Sequence, residues 1–354
     1  MCNRWLTPKF FFLVNVSLLI GMGIGCDAEQ ADYQTDTAFY HWRTELNLSA
    51  EESGFLVNVS AKRLYCKFFD VDVDRVGSDP TPRAVIAVSD SAANLQNYEI
   101  VPVVFLTNRS FQDRQPGFAA QLAERVVRLI EQRAEYFPTS HFPEYQFDCD
   151  WTPSTRALYF EFLKEVRKLL PQGTLLSATI RLHQIRYPEQ TGIPPVDRGA
   201  LMCYNVGEVD RWETDNSILT ADAAAAYLKA TPDYALPLDI ALPVFSWGAV
   251  YRHGQLVRLL NNLTAGALSD TSRYEVLGEG RFRIAKSGYL HGQYLYRDDR
   301  IRTETVTPAV LRSTAELLHD YLPPADRHLI WYHLDTTTIR RYESHLLDSI
   351  ALAL

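Results

Sequence analysis

The chain lacks a basic run. Its 35 Lys and Arg are outnumbered by 43 Asp and Glu, so its field repels polyanions and nucleic acid is not an expected partner. Cysteine is sparse: five occur in 354 residues, none in the C-x-x-C spacing of a zinc or redox motif. Cys66, Cys149 and Cys203 each fall inside a predicted strand, where a buried free thiol is the expected state. No G-x-G-x-x-G turn follows the first strand-like segment, which weighs against the dinucleotide-binding form of an open, doubly wound sheet. Core material is plentiful, with 47% hydrophobic residues against 22% charged, the composition of a folded globular protein.

The N-terminus reads as an export signal rather than as part of the fold. Arg4 and Lys9 flank the start of FFFLVNVSLLIGMGI, an apolar run of 15 residues that is short for a membrane span. It ends in Gly25-Cys26, and a cysteine at this point resembles the lipobox of bacterial lipoproteins, with Gly23 where that motif usually has Leu. The resemblance implies removal of residues 1–25 and lipidation of Cys26. The protein would then be exported and held on the periplasmic or cell-surface side of a bacterial membrane. Plain secretion and an uncleaved anchor are the alternatives. Processing leaves 33 Lys and Arg against 43 Asp and Glu, a net charge near −10, and turns the polar, acidic residues 26–37 into a tether.

From residue 38 onward strand-like and helix-like segments alternate. The strand windows are 38–44, 63–71, 100–108, 145–151, 175–183, 200–206, 238–247 and 329–335, eight in number. Amphipathic helices fill most gaps. LSAEESGFLVNVS opens with a Ser49-x-x-Glu52 capping box. A second helix carries Phe118, Leu122, Val126, Leu129 and Ile130 on one stripe, and a third carries Leu158, Phe162, Val166 and Leu169. ADAAAAYLKA and TPAVLRSTAELLHDYL serve later gaps. Strands alternating with helices imply parallel βαβ units, and eight strands close a (β/α)8 TIM barrel, with a doubly wound open sheet as the alternative. The long connection 248–328 is an insertion between strands seven and eight. It holds a helix-like HGQLVRLLNNL followed by a small β excursion, and it is either a lid facing the site or an interaction surface.

Period-two alternation then sorts side chains between barrel axis and helix layer. In YQFDCDWT it places Gln146, Asp148, Asp150 and Thr152 on one face and Phe147, Cys149 and Trp151 on the other. The carboxylates must face the axis, near the C-terminal mouth, where burial and mutual repulsion push their pKa values apart. Lys67 or Arg181 is the expected partner of Asp148, because an unpaired buried carboxylate is costly. Ser177, Thr179, Arg181 and His183 share a face. So do Trp331, His333 and Asp335, while Met202, Tyr204, Asn205 and Trp247 end their strands at the mouth. So many polar groups at strand ends point to a site, since a purely structural barrel fills these layers with Val, Ile and Leu. His183, His333 and Asp335 are also metal-ligand types, but the sequence fixes no distance among them, and neither metal nor cofactor is expected.

FDCDWT resembles the strand-four signature D-x-x-D-x-D-W-E of chitinase-like (family 18) glycoside hydrolases, and LMCYN resembles their strand-six M-x-Y-[DN]. The resemblance implies a barrel fold and a sugar ligand. Asp148 and Asp150 match the last two aspartates, Met202, Tyr204 and Asn205 match the strand-six motif, and Trp331 falls where the clan keeps a tryptophan under the sugar ring. Thr152 stands at the position of the general-acid glutamate, and Tyr145 at the first aspartate. The chain also resembles bacterial lipoprotein barrels of no known activity.

Three readings follow. In a glycosidase, Asp150 near the mouth is proton donor or base, Asp148 holds and tunes it, and Tyr204 hydrogen-bonds the substrate or intermediate. Trp247 and Trp331 stack on sugar faces, and Glu208, Asp298 or Asp299 is a candidate for the missing acid. In a non-catalytic carbohydrate-binding barrel the groove remains and the acid is lost. In a scaffold, the insertion binds another protein.

Overall fold

The computed structural model describes Met1 and residues 33–89, 92–139, 141–229 and 234–354. The export signal 1–25, Cys26 and most of the tether therefore lie outside the described residues. Eight parallel strands close on themselves: β1 (Thr35–His41), β2 (Arg63–Asp72), β3 (Glu99–Leu106), β4 (Glu144–Asp148), β5 (Leu175–Arg181), β6 (Arg198–Met202), β7 (Leu238–Pro243) and β8 (Arg327–Tyr332). Closure is made by β1, which pairs with β8 through Phe39 and Trp331 and with β2 through Tyr40 and Tyr65. The fold is a (β/α)8 barrel, as the alternation of segments predicts.

Among the described residues six longer helices pack outside: α1 (Ala50–Asn58), α2 (Phe118–Ala134), α3 (Arg156–Leu169), α4 (Ala221–Leu228), α5 (Pro308–Tyr321) and α6 (Ser344–Ala351). The capping box of α1 forms at both ends: Glu52 N donates to Ser49 Oγ at 3.1 Å, and Ser49 N donates to Glu52 Oε2 at 2.9 Å, which satisfies two backbone donors that the helix itself cannot. In α3 the buried stripe is Tyr159, Phe162, Leu163 and Val166. It is rotated from the expected one, so that Leu169 is exposed. Between β5 and β6 only short turns, Leu182–Arg186 and Pro188–Thr191, stand in for a helix.

The insertion is a separate antiparallel layer. Its five strands lie in the order 255–261, 246–252, 300–305, 281–284, 274–278, around a core of Val250, Leu260, Leu263, Phe282 and Ile301. HGQLVRLLNNL, expected as a helix, is one arm of a hairpin instead. His253 and Gly254 turn the chain with φ of +52° and +80°, and Gln255–Asn261 pairs with Ser246–Arg252. The sequence fits either period, and pairing with the neighbouring strand decides. Gly254 is there because the left-handed region is cheap only without a Cβ.

Candidate functional site

Each layer of the barrel interior carries polar side chains among apolar ones. At the N-terminal end Glu144 is fully buried and accepts from Arg63 Nη1 at 2.9 Å and from Ser177 Oγ. Asp239, equally buried, accepts from the backbone N of His328 at 2.7 Å. Burial, reinforced by Asp239, raises the Glu144 pKa. One layer up, Tyr40 donates its hydroxyl to Gln146 Oε1 at 2.6 Å, and Gln146 Nε2 donates to Ser177 Oγ at 3.3 Å. Glu144, Gln146 and Asp148 are thus the inward residues of β4, two apart, as a pleated strand requires.

Asp148 heads the third layer. Only 3% exposed, it accepts from Thr179 Oγ1 at 2.6 Å. Burial pushes its pKa up to about 6, against the pull of Arg181 and with help from the charge on Asp150. Asp150 lies two residues beyond the end of β4, half exposed, and Arg181 grips both its oxygens, Nε on Oδ1 and Nη2 on Oδ2, the latter at 2.7 Å. Burial works against the Arg181 charge, but Asp150 and Asp148 outweigh it and its pKa is raised. A planar guanidinium meeting a carboxylate through two parallel bonds is among the strongest pairings available to side chains.

Above this floor a cleft of about 430 Å³ opens at the C-terminal mouth. Its lining includes Asp148, Asp150, Arg181, Met202, Tyr204, Asn205, Trp247 and His333, together with Trp42, Arg43, Phe105, Phe245, Asn261, Asn262 and Tyr332. Tyr204 stacks on Tyr332 at 5.1 Å and 25°, and its buried hydroxyl has no hydrogen-bond partner among the described residues. Asn205 takes the left-handed conformation, φ +55°, which Asn tolerates better than most residues. Trp247 belongs to the first strand of the insertion rather than to β7, and its Nε1 donates to the buried Glu304 at 3.1 Å. Glu304 also takes Ser217 N and Oγ, each at 2.7 Å.

Four expected site residues stand elsewhere. Trp331 is 0% exposed and packed in the helix-side core, so it offers no face to a sugar. His328 turns inward to Asp239 and thereby sets the parity of β8, which sends Tyr332 inward and Trp331 outward. His183 is exposed and does not share the face of Arg181, because β5 ends at Arg181 and a helical turn begins at Leu182. Lys67 pairs with Asp70 at 3.0 Å and lies 5.6 Å from the Trp42 ring centroid, so it props the cleft wall instead of meeting Asp148. Asp335 caps the turn Thr336–Ile339 through Thr338 N at 2.7 Å. It sits behind His333, 3.6 Å from Nε2.

Thr152 bonds to Ser154 and Thr155 hydroxyls at 2.9 and 3.2 Å and does not line the cleft. Glu208 pairs with Arg211 and Asp299 with Arg252, and neither they nor Asp298 reach it. Asp148 and Asp150 are the carboxylates lining the cleft among the described residues. Sequence reading missed Trp42, Tyr332 and Asp70. Trp42 was legible as the inward alternate of Tyr40. Asp70 was hidden by a bulge in β2 between Lys67 and Phe69, which inserts a residue and carries Asp70 to the face of Lys67.

No family model matches the chain, and no curated protein matches it in sequence. Solved structures do. A chitinase from Chromobacterium violaceum superposes with a TM-score of 0.54 at 13% identity, covering 90% of this chain and 99% of that one. A family 18 N-acetylglucosaminidase from Paenibacillus barengoltzii gives 0.51 at 13%, covering 91% and 100%. The Bacillus cereus spore cortex-lytic enzyme SleL gives 0.51 at 15%, covering 89% and 74%. At such identities the likeness is one of fold, and the fold is that of the chitinase-like barrels.

Proposed function

We propose, from the premise that this chain has a chitinase-like barrel fold, that the mouth cleft binds carbohydrate and that binding rather than hydrolysis is its main work. The observation that carries this reading is the pairing of Asp150 with Arg181 beneath a wall of aromatic rings. Trp42, Phe245, Trp247 and Tyr332 offer apolar faces for the C–H side of a sugar ring, and the Asp150–Arg181 pair offers fixed acceptors and donors for its hydroxyls. Hydrolysis with two carboxylates needs one as acid and a second left free as base or nucleophile. Arg181 occupies both oxygens of Asp150, so neither is left free for a leaving group, and Thr152 supplies no acid. The roles expected from the sequence are thereby exchanged: Asp150 anchors, and Asp148 is the carboxyl that changes protonation near neutral pH.

One observation favours a second reading, a glycosidase. Asp148 has a pKa of about 6, close to what a general acid at neutral pH needs. Calorimetry and product chromatography with chitooligosaccharides and with spore-cortex peptidoglycan fragments separate the two. Binding that Trp247→Ala and Asp150→Ala weaken, without turnover, supports the binding barrel. Turnover that disappears in Asp148→Asn supports the enzyme, and no response to any glycan overturns both. We also propose export and lipid anchoring at Cys26, on the strength of the N-terminal sequence alone. Metabolic labelling with a radioactive fatty acid in a bacterial host tests it, and label retained by Cys26→Ser overturns it.

A further inference from the structure

The insertion carries a feature that the cleft does not use. Residues 288–290 and 293–295 form a two-stranded hairpin in which Tyr289 pairs across to Tyr294. Tyr289, Tyr294 and the next tyrosine, Tyr296, are 70%, 47% and 53% exposed. Their rings meet edge to face in sequence, each centroid 5.2 Å from the next. Three large aromatic side chains exposed in a row are unusual on a soluble surface and mark binding sites when they occur. The row ends on a built frame. The Arg252 guanidinium lies 4.3 Å from the Tyr296 ring centroid; Asp299, 1% exposed, holds Arg252 through two bonds of 2.8 and 2.9 Å and accepts Tyr296 N at 2.8 Å. Beside it opens a shallow cavity of about 280 Å³ lined by Arg252, His253, Tyr296, Arg297, Asp298 and Asp299.

The charge of that cavity selects among ligands. Arg252 and Arg297 balance Asp298 and Asp299, so a phosphate or an acidic chain gains no net attraction there. Neither Arg297 nor Asp298 has an ion pair among the described residues, which leaves one planar donor and one planar acceptor free beside an aromatic face. Rings with apolar faces and flat polar side chains at their edge match a neutral, polyhydroxylated ligand. The hairpin also leads toward the mouth: His291, at its tip, places Nδ1 3.3 Å from the carbonyl oxygen of Asn261, a cleft-lining residue.

We propose that Tyr289, Tyr294 and Tyr296, with the adjoining Arg297–Asp298 cavity, form an accessory site that holds a neutral polysaccharide chain as it leaves the cleft. The continuity with the cleft rests on the carbohydrate reading of the mouth; the binding site itself does not. The test is retention of the full chain on insoluble chitin, cellulose and peptidoglycan sacculi, beside calorimetry with soluble chitobiose. Tyr289→Ala/Tyr294→Ala, and separately Arg297→Ala, are expected to weaken polymer binding by about tenfold or more, to leave chitobiose binding unchanged and to keep the melting temperature of the parent. Trp247→Ala is expected to do the reverse for chitobiose. Polymer retention unchanged in both tyrosine and arginine variants overturns the accessory site while leaving the cleft reading intact. Polymer binding lost in the tyrosine variant but untouched by Trp247→Ala keeps the accessory site and overturns its continuity with the cleft. Retention on no polymer overturns the site, and tyrosine-dependent self-association in sedimentation velocity then assigns the row to contact between copies.

Discussion

At the scale of residues, the pair Asp148 and Asp150 shows what alternation along a strand can and cannot specify. Parity alone turns both carboxylates toward the axis, and that much was legible. Partners were not, because they depend on which residue of the next strand stands at the same height. Thr179 meets Asp148 and Arg181 reaches past it to Asp150. Burial then gives Asp148 a folded-state pKa of about 6 against an ordinary value of 3.8, and the sign of the linkage follows. Between about pH 4 and pH 6 the folded state holds a proton that the unfolded state has lost, so stability falls as pH rises through this window and the loss is complete above it. Two pKa units correspond to roughly 3 kcal/mol. Asp148→Asn removes the group. Relative to the parent it is expected to gain stability progressively from pH 4 to pH 6 and to hold that gain at pH 7, measured by urea unfolding at fixed pH values. A stability difference that is flat across the window would mean that Asp148 is ionised throughout.

At the scale of elements, strand number and order were readable and strand ends were not. Predicted strands ran past the last paired residue at every barrel strand but β2, in each case at the C-terminal end. The cause is physical: residues just beyond the ladder still bury against the mouth, so their apolar and polar pattern continues after the hydrogen bonds stop. The β2 bulge and the inward turn of His328 are of the same kind, since each shifts a whole face by one residue and neither leaves a mark in hydrophobicity. In LIWYH both parities are apolar, and the choice between Trp331 and Tyr332 falls to the buried contact at the other end of β8. The two side chains therefore have opposite expected effects. Trp331→Ala empties a fully buried site and is expected to cost about 3–5 kcal/mol of stability, with little change in glycan affinity per folded molecule. Tyr332→Ala, half-buried on the cleft wall, is expected to weaken glycan binding with the smaller stability loss. Chemical denaturation beside calorimetry checks this, and equal effects of the two changes on affinity would contradict the assigned parity.

At the scale of the whole molecule, the barrel and its insertion are chemically unlike. Residues 246–305 hold nine Lys and Arg against six Asp and Glu, a net +3 in a chain of net −8. That the insertion exists was legible from the length of the gap after β7. What it is pinned to was not, because its contacts are with a loop distant in sequence. Tyr251 donates to Val209 O at 2.5 Å, Arg302 to Arg211 O, Glu304 accepts from Ser217, and Asn216 donates to Thr305 O at 2.8 Å. All four tie down the connection from β6 to α4, whose next residues after β6 include Tyr204 and Asn205. The insertion thus builds one cleft wall directly, through Trp247, Asn261 and Asn262, and fixes the other side through that loop. Its ends are adjacent, since Ser246 pairs with Thr305, and paired Cα atoms lie about 5 Å apart, so two glycines between Phe245 and Val306 can close the gap after excision. The excised chain keeps the main core and is expected to unfold cooperatively with a barrel-like circular dichroism spectrum. Hydrogen exchange is expected to show faster exchange at residues 207–217, with the barrel strands unchanged, because the loop has lost these partners, Arg281 on Thr214 O and Asp215 among them, while the strands keep their ladders. Glycan binding in the cleft should fall below detection for the same reason. Unchanged protection of that loop after excision would mean that the barrel alone holds Tyr204 and Asn205 in place, and that the insertion contributes only its own wall.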